Sequence, residues 1–157
     1  MPLQTDLLIH HRDAIPAMAE GFMQQWPQWY GPGGPGDATA DLQAFARSEG
    51  LPLGVVVLSA GQVCGVAALK AQSIDAFAHW GPWAAAGFVP PSLRGQGLGA
   101  ALLRGLVQEA ARQGHDTLYC GTATAQRLLE REGWAWCAEA DQNGQRVQVY
   151  KVFTQQS

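Results

Sequence analysis

The sequence predicts an α/β protein built on a mixed central sheet of about seven strands with flanking helices. Three observations carry this. Apolar runs rich in Val, Ala and Leu alternate with segments whose apolar residues recur every three or four positions. Two pairs of runs are joined by connections too short for anything but antiparallel pairing. A further run feeds a glycine-rich loop and then a long amphipathic helix, a crossover that makes the strands on either side of it parallel.

Residues 3–10, with Leu7-Leu8-Ile9, read as the first strand. Asp13 is placed to cap a helix running to about Met23, because Ile15, Met18, Ala19 and Phe22 recur at helical steps. Trp26, Trp29 and Tyr30 then lead into Gly31-Pro32-Gly33-Gly34-Pro35-Gly36, a loop by composition. Asp37 or Thr39 starts a second helix, with Leu42, Phe45 and Ala46 on one face and an end near Gly50. Residues 53–58 form a strand, 59–62 a turn, and 63–69 the antiparallel return. Residues 71–80 read as loop. Pro82-Trp83 opens a strand through Ala84-Ala85-Ala86-Gly87-Phe88-Val89 that pairs with the preceding one.

The helix after the glycine loop spans residues 98–113. Leu102, Leu103, Leu106, Val107 and Ala110 form its buried side, Gln108, Glu109 and Arg112 its wet one, and Gly114 its stop. Residues 115–122 form a strand, and 125–132 a helix stopped by Gly133. Residues 134–140 and 145–153 are a hairpin around Asn143-Gly144, a strong turn signal. No repeat or linker interrupts the chain, and 157 residues suit a single domain over residues 1–157.

Composition narrows the function. A net charge of −3, with ten Lys and Arg that form no cluster, argues against a nucleic-acid partner. No apolar run approaches the ~20 residues of a membrane span. The apolar segment near the N-terminus is too short for a signal peptide, so the expectation is a cytoplasmic protein without a membrane partner. Cys64, Cys120 and Cys137 are odd in number and form no CxxC, so reduced thiols are expected and no metal site.

The functional signal is Val89-Pro90-Pro91-Ser92-Leu93-Arg94-Gly95-Gln96-Gly97-Leu98-Gly99-Ala100. Glycines let the backbone approach an oxygen closely. The first N–H groups of the following helix have no internal partner, and the helix dipole adds partial positive charge. Such an end holds phosphate, and Arg94 brings a full charge with fork geometry. Gly95-x-Gly97-x-x-Ala100 also fits a dinucleotide fingerprint. That fingerprint wants an acidic residue at the end of the next strand, whereas Asp116 stands at its start. No Gly-Lys-Ser/Thr follows, which removes an NTPase loop.

With this element order, Arg94-x-x-Gly97-x-Gly99 resembles the Arg/Gln-x-x-Gly-x-Gly/Ala motif of the GNAT superfamily, the acyl-CoA-dependent N-acetyltransferases. Pro82-Trp83, Phe88-Val89-x-Pro91, Gly133-Trp134 and Trp26-Pro27-x-x-Tyr30-Gly31 resemble a common bacterial subgroup. The resemblance implies acetyl-CoA as co-substrate. Its diphosphate would lie on Gly95, Gln96, Gly97, Leu98, Gly99 and Ala100, with Arg94 alongside. It also implies a bulge in the strand before the loop and a gap between that strand and its parallel neighbour. The pantetheine arm would pair there with backbone near Phe88 and Val89, and one N–H would polarise the acetyl carbonyl. The acceptor would be a primary amine of a small molecule or peptide. A homodimer is a further expectation, since dimers are common in the superfamily.

One position departs from the pattern. The family usually carries a tyrosine on the late helix, in Ala-x-x-Leu-Tyr, whose hydroxyl faces the coenzyme sulfur. Here the stretch is Ala125-Gln126-Arg127-Leu128-Leu129, and leucine donates no proton. Three readings stand. The thiolate leaves unaided or through water, since a thiol near pKa 8–9 is a fair leaving group. Or Tyr119, Cys120 or Thr122 substitutes. Or the protein is a catalytically weak acyl-CoA-binding module. His79 and Asp75 lie near the strand without a spacing that compels a role as base. Trp26, Trp29, Tyr30 and Trp80 have two readings, core packing or an acceptor pocket. As a pocket they suit an amine with a flat or apolar body better than a polycation.

Overall fold

A computed structural model describes residues 2–155. Its strands are β1 (Leu3–Leu7), β2 (Leu53–Ser59), β3 (Gln62–Lys70), β4 (Trp83–Phe88), β5 (Thr117–Thr122), β6 (Ala135–Gln142) and β7 (Gln145–Phe153). Its helices are α1 (Ile15–Gln25), α2 (Pro27–Tyr30), α3 (Ala38–Phe45), α4 (Leu98–Arg112) and α5 (Gln126–Arg131). The strands make one seven-stranded sheet in the order β1-β2-β3-β4-β5-β7-β6. The β4–β5 pair is parallel, and the other neighbouring pairs are antiparallel.

The sheet is covered on both faces, which explains the unbroken apolar run of β2. Alternate residues point to opposite sides. Val55 and Val57 pack with Leu98, Leu102, Leu106 and Leu129 of α4 and α5. Val56 and Leu58 pack with Met18, Phe22, Leu42 and Phe45 of α1 and α3. A third apolar cluster, Ile74, Trp83, Val147 and Val149, lies under the loop before β4. Among the described residues no helix is long and apolar enough to cross a membrane.

Several local expectations hold. Asp37 caps α3, accepting the Ala40 N–H at 3.0 Å. Asn143 and Gly144 take φ of 54° and 80° between the paired Gln142 and Gln145, the two-residue turn their sequence asks for. Gly114 and Gly133, with φ of 85° and 86°, follow α4 and α5.

Others are corrected. The first strand stops at Leu7 and residues Leu8–Ala14 form a 3-10 segment. Asp6 explains the change. Its carboxylate accepts from the Leu7 N–H at 2.8 Å and meets His10 and His11 at 3.0 and 2.9 Å, a local turn that competes with extended pairing. Asp13 lies inside that segment, so it caps nothing; α1 starts at Ile15 with Pro16 in its first turn. Ahead of the Gly31–Gly36 loop, Pro27–Tyr30 makes a single helical turn that the sequence reading leaves unassigned. The second long helix ends at Phe45 rather than near Gly50. There Gln113 of the α4 end takes the Gly50 N–H at 2.9 Å, and Arg47 reaches Leu51 O at 2.9 Å, holding the segment as loop.

Candidate active site

The cleft begins where two strands part. β4 and β5 pair only at Trp83↔Tyr119 and Ala84↔Cys120. Beyond them the remainder of β4 has no pairing with β5, and a gap opens toward the loop. On the other side of β4 the ladder to β3 slips between Ala68↔Ala85 and Val66↔Phe88. Ala86 sits at this bulge with φ of 54°, a left-handed conformation that costs a non-glycine residue about 1–2 kcal/mol. Bulges of this kind re-aim backbone groups. Gly87 next to it is exposed, and a Cβ there would meet nothing within 4 Å. The bulge and the splayed parallel pair are the two features that the sequence resemblance implied.

After β4 the chain makes a 3-10 turn, Pro91–Leu93, and enters the loop. Gly95 and Gly97 have φ of 81° and 82°, which glycine adopts freely. A Cβ on either would meet nothing within 4 Å, so both face open space. Gly97 precedes α4 without a side-chain cap. The first internal bond of the helix runs from the Ala101 N–H to Gly97 O at 3.1 Å. The amides of Leu98, Gly99 and Ala100 therefore lie ahead of the helical ladder. Leu98 anchors this turn by burying its side chain in the core. Gly99 fits against α5, where a Cβ would stand 3.2 Å from Leu128 Cδ2. Glycines opening on empty space, with uncapped amides behind them, fit a diphosphate.

Arg94 folds back across the mouth. Its Nε donates to Val89 O at 3.1 Å and its Nη2 to Gln25 Oε1 at 2.6 Å, linking the loop to the end of α1. The side chain is exposed, so its charge remains at the mouth. Phe88, by contrast, is buried under α1; a Cβ on Gly21 would stand only 2.3 Å from its ring. Val89 is half-buried against the α4 side of the core. Gln96 is exposed.

Two aromatic groups lie along β4, one at its end around Phe88 and one at its start around Trp83 and Tyr119. Phe22 meets Trp26 edge-on at 5.1 Å, Tyr30 at 5.5 Å and Phe88 at 6.0 Å. Tyr30 donates its hydroxyl to Asp41 at 2.6 Å, and burial together with that carboxylate pushes its pKa well up. Trp29 stands 51% exposed beside the Gly/Pro loop. Phe22, expected on the buried face of the first helix, joins the cluster through a four-residue spacing to Trp26 and Tyr30. At the start of β4, Trp80 stacks on Phe77 at 4.3 Å and on Tyr119 at 5.1 Å, with interplanar angles of 6° and 14°. Trp80 is thus packed between two other rings and remains half-buried.

Tyr119 and Cys120 are neighbours on a strand and point to opposite sheet faces. Tyr119 joins the Trp80 and Trp83 rings, and Cys120 packs against the core under α4. Burial pushes the Cys120 thiol up to about 12. Leu129 is 1% exposed and enclosed with Leu98, Leu102, Trp134 and Tyr150. Thr122 is committed locally, its Oγ1 accepting from the Ala125 N–H at 2.7 Å at the entry to α5. His79 and Asp75 are both exposed, and the Asp75 N–H is held by Gln142 at 3.0 Å.

The model of the acetyltransferase (GNAT) family matches residues 15–134. The chain belongs to the GNAT acetyltransferase family. Enzymes of this family use acetyl-CoA as co-substrate. No curated protein sequence matches the chain. Solved structures do match. An aminoglycoside 6′-N-acetyltransferase complexed with coenzyme A shares 14% identity at a TM-score of 0.77, covering 100% of this chain and 99% of that one. The aminoglycoside 6′-N-acetyltransferase from Enterococcus faecium shares 13% at 0.75, again over 100% and 99%. The putative acetyltransferase yncA from Salmonella typhimurium, with acetyl-CoA, shares 19% at 0.71 over 100% and 96%. At these identities the likeness is one of fold, the GNAT arrangement of a mixed sheet around one splayed parallel pair.

Proposed function

We propose that the chain, acting as one domain, transfers acetyl from acetyl-CoA to a primary amine of a small molecule or peptide, by direct attack in a ternary complex. The observation that carries this is the mouth of α4, where Gly95 and Gly97 face open space beside the uncapped amides of Leu98 to Ala100. When bound, acetyl-CoA supplies an acetyl thioester. The amides from Gln96 to Ala100 hold its diphosphate oxygens, and the α4 dipole adds to that attraction. Arg94 contributes a full charge at the rim. Backbone of β4 near Phe88 and Val89, freed by the gap, offers N–H and C=O groups to the amides of the pantetheine arm. One such N–H placed at the acetyl carbonyl polarises it.

Cys120 argues for direct transfer. A thiol raised to about 12 holds its proton at neutral pH, which makes it a poor nucleophile and a poor acid. With Leu129 unable to donate, the coenzyme thiolate departs unaided or through water. Trp26, Trp29 and Tyr30 supply the acceptor side with aromatic surface, and Trp80 adds to it from the start of β4. That surface suits an amine with a flat or apolar body. A second reading, an acyl-CoA-binding module with weak turnover, is favoured by the leucine at position 129 alone.

Thiol release from acetyl-CoA with a panel of aromatic monoamines and polycationic amines tests the reading. Saturable release with aromatic monoamines is expected. Release with polycations only refutes the acceptor assignment. Coenzyme binding without release above buffer for any amine favours the module.

A further inference from the structure

We propose that Gln25 is a positioning residue: by holding the Arg94 guanidinium it couples the coenzyme loop to the acceptor side of the cleft. The inference rests on the coenzyme reading above and extends it to a residue outside the loop. α1 and α2 carry Trp26, Trp29 and Tyr30, and they form one hydrogen-bonded piece. The Trp26 N–H donates to Phe22 O at 2.9 Å, and the Tyr30 N–H to Trp26 O at 2.8 Å. Gln25 is the last residue of α1, directly before Trp26.

This piece meets the end of β4 twice. The first contact is apolar: the buried Phe88 ring lies 6.0 Å from that of Phe22 and 6.5 Å from that of Trp26. Gly21 permits the approach, since a Cβ there would stand 2.3 Å from the same ring. The second is polar. Gln25 Oε1 accepts from Arg94 Nη2 at 2.6 Å, while Arg94 Nε donates to Val89 O at 3.1 Å. Among the described residues no other side-chain hydrogen bond joins residues 15–30 to residues 89–100.

The chemistry of residue 25 suits this task. A carboxylate would neutralise Arg94 and repel a diphosphate, whereas an amide oxygen orients the guanidinium and leaves its charge unspent. The C-terminal end of α1 favours a cation at the same place. A guanidinium carries more N–H groups than these contacts use, so Nη1 stays available to a phosphate oxygen. A free arginine loses rotamer freedom when it grips phosphate, and one already held loses less. Gln25 therefore raises coenzyme affinity through Arg94. The coupling is reciprocal. Phosphate on Arg94 fixes the group that Gln25 binds, which steadies the end of α1 and Trp26 beside it.

Titration of the full chain with coenzyme A, read by calorimetry and by N–H chemical shifts, tests this in the wild type, Q25M, R94M and the double variant. Gln25 and Arg94 are exposed, so each variant should melt within about 2 °C of the wild type. Q25M should bind coenzyme A about threefold to tenfold more weakly. In the R94M background, where the backbone amides still bind, the same change should alter affinity by less than about 1.5-fold. The Trp26 indole N–H signal should move with coenzyme A in the wild type. In Q25M that movement should fall by at least about half, while the amide signals of Gln96 to Ala100 still move. Wild-type affinity in Q25M overturns the proposal. An equal loss in both backgrounds overturns it too, because Gln25 would then act without Arg94, and so does an unchanged Trp26 response in Q25M. A wild type that binds no coenzyme A defeats the coenzyme reading itself.

Discussion

Substituting Gly97 by Asp and by Asn separates charge from shape at the loop. Gly97 has φ of 82°, is exposed, and a Cβ there would meet nothing within 4 Å. Either substitution therefore strains the backbone without crowding a neighbour. Asn and Asp tolerate this region better than other residues, so the cost is about 1 kcal/mol, or about 2–4 °C in melting temperature, nearly the same for both. Affinity for coenzyme A is where they diverge. Two unit charges 4 Å apart repel by about 4 kcal/mol at an effective dielectric of 20. Solvent and salt at this exposed mouth reduce that to about 1.5–3 kcal/mol, which is about tenfold to a hundredfold. Calorimetry at low salt should show Gly97→Asn weakening coenzyme binding modestly, with Gly97→Asp weaker again by at least about tenfold. The difference should shrink as salt rises. Asp and Asn variants of equal affinity would refute the reasoning, since no anion would then be facing residue 97.

Two further outcomes follow from burial. Leu129→Tyr places a larger, polar side chain in an enclosed site, which should cost about 2 kcal/mol and lower melting by about 4–8 °C; a circular-dichroism melt that does not move would show that residue 129 is not enclosed. The raised Cys120 pKa of about 12 favours the neutral thiol, so at pH 9 only about one thiol in a thousand is ionised. Cys120 should resist iodoacetamide at pH 9 in the folded chain and react once it is unfolded, as read by peptide mass mapping, and rapid labelling of the folded protein would contradict the raised pKa.

What the sequence made legible is what local chemistry dictates. Asn143-Gly144 needs two positive φ values and a hairpin around them. Asp37 has an N–H to accept three residues on. The glycine loop between an apolar strand and an amphipathic helix was readable as such, and Gly95 and Gly97 take the positive φ values that call for glycine. The misses come from contacts between distant parts. The rings that Trp80 packs against are Phe77 and Tyr119, and Tyr119 arrives from another strand. The end of α3 depends on Gln113, more than sixty positions away. The early end of β1 was set nearby, by Asp6, yet apolar pattern favoured a longer strand over a side-chain turn. The resemblance placed the gap beside β4; its start after Ala84 and Cys120 belongs to the three-dimensional register.

Coenzyme binding depends on the main chain at the start of α4. Amide chemical shifts followed during a titration with coenzyme A test this most directly. The N–H signals of Gln96 through Ala100 should move most, with those near Phe88 and Val89 next. Saturation with the largest changes elsewhere, and the signals of Gln96 through Ala100 unmoved, would contradict it.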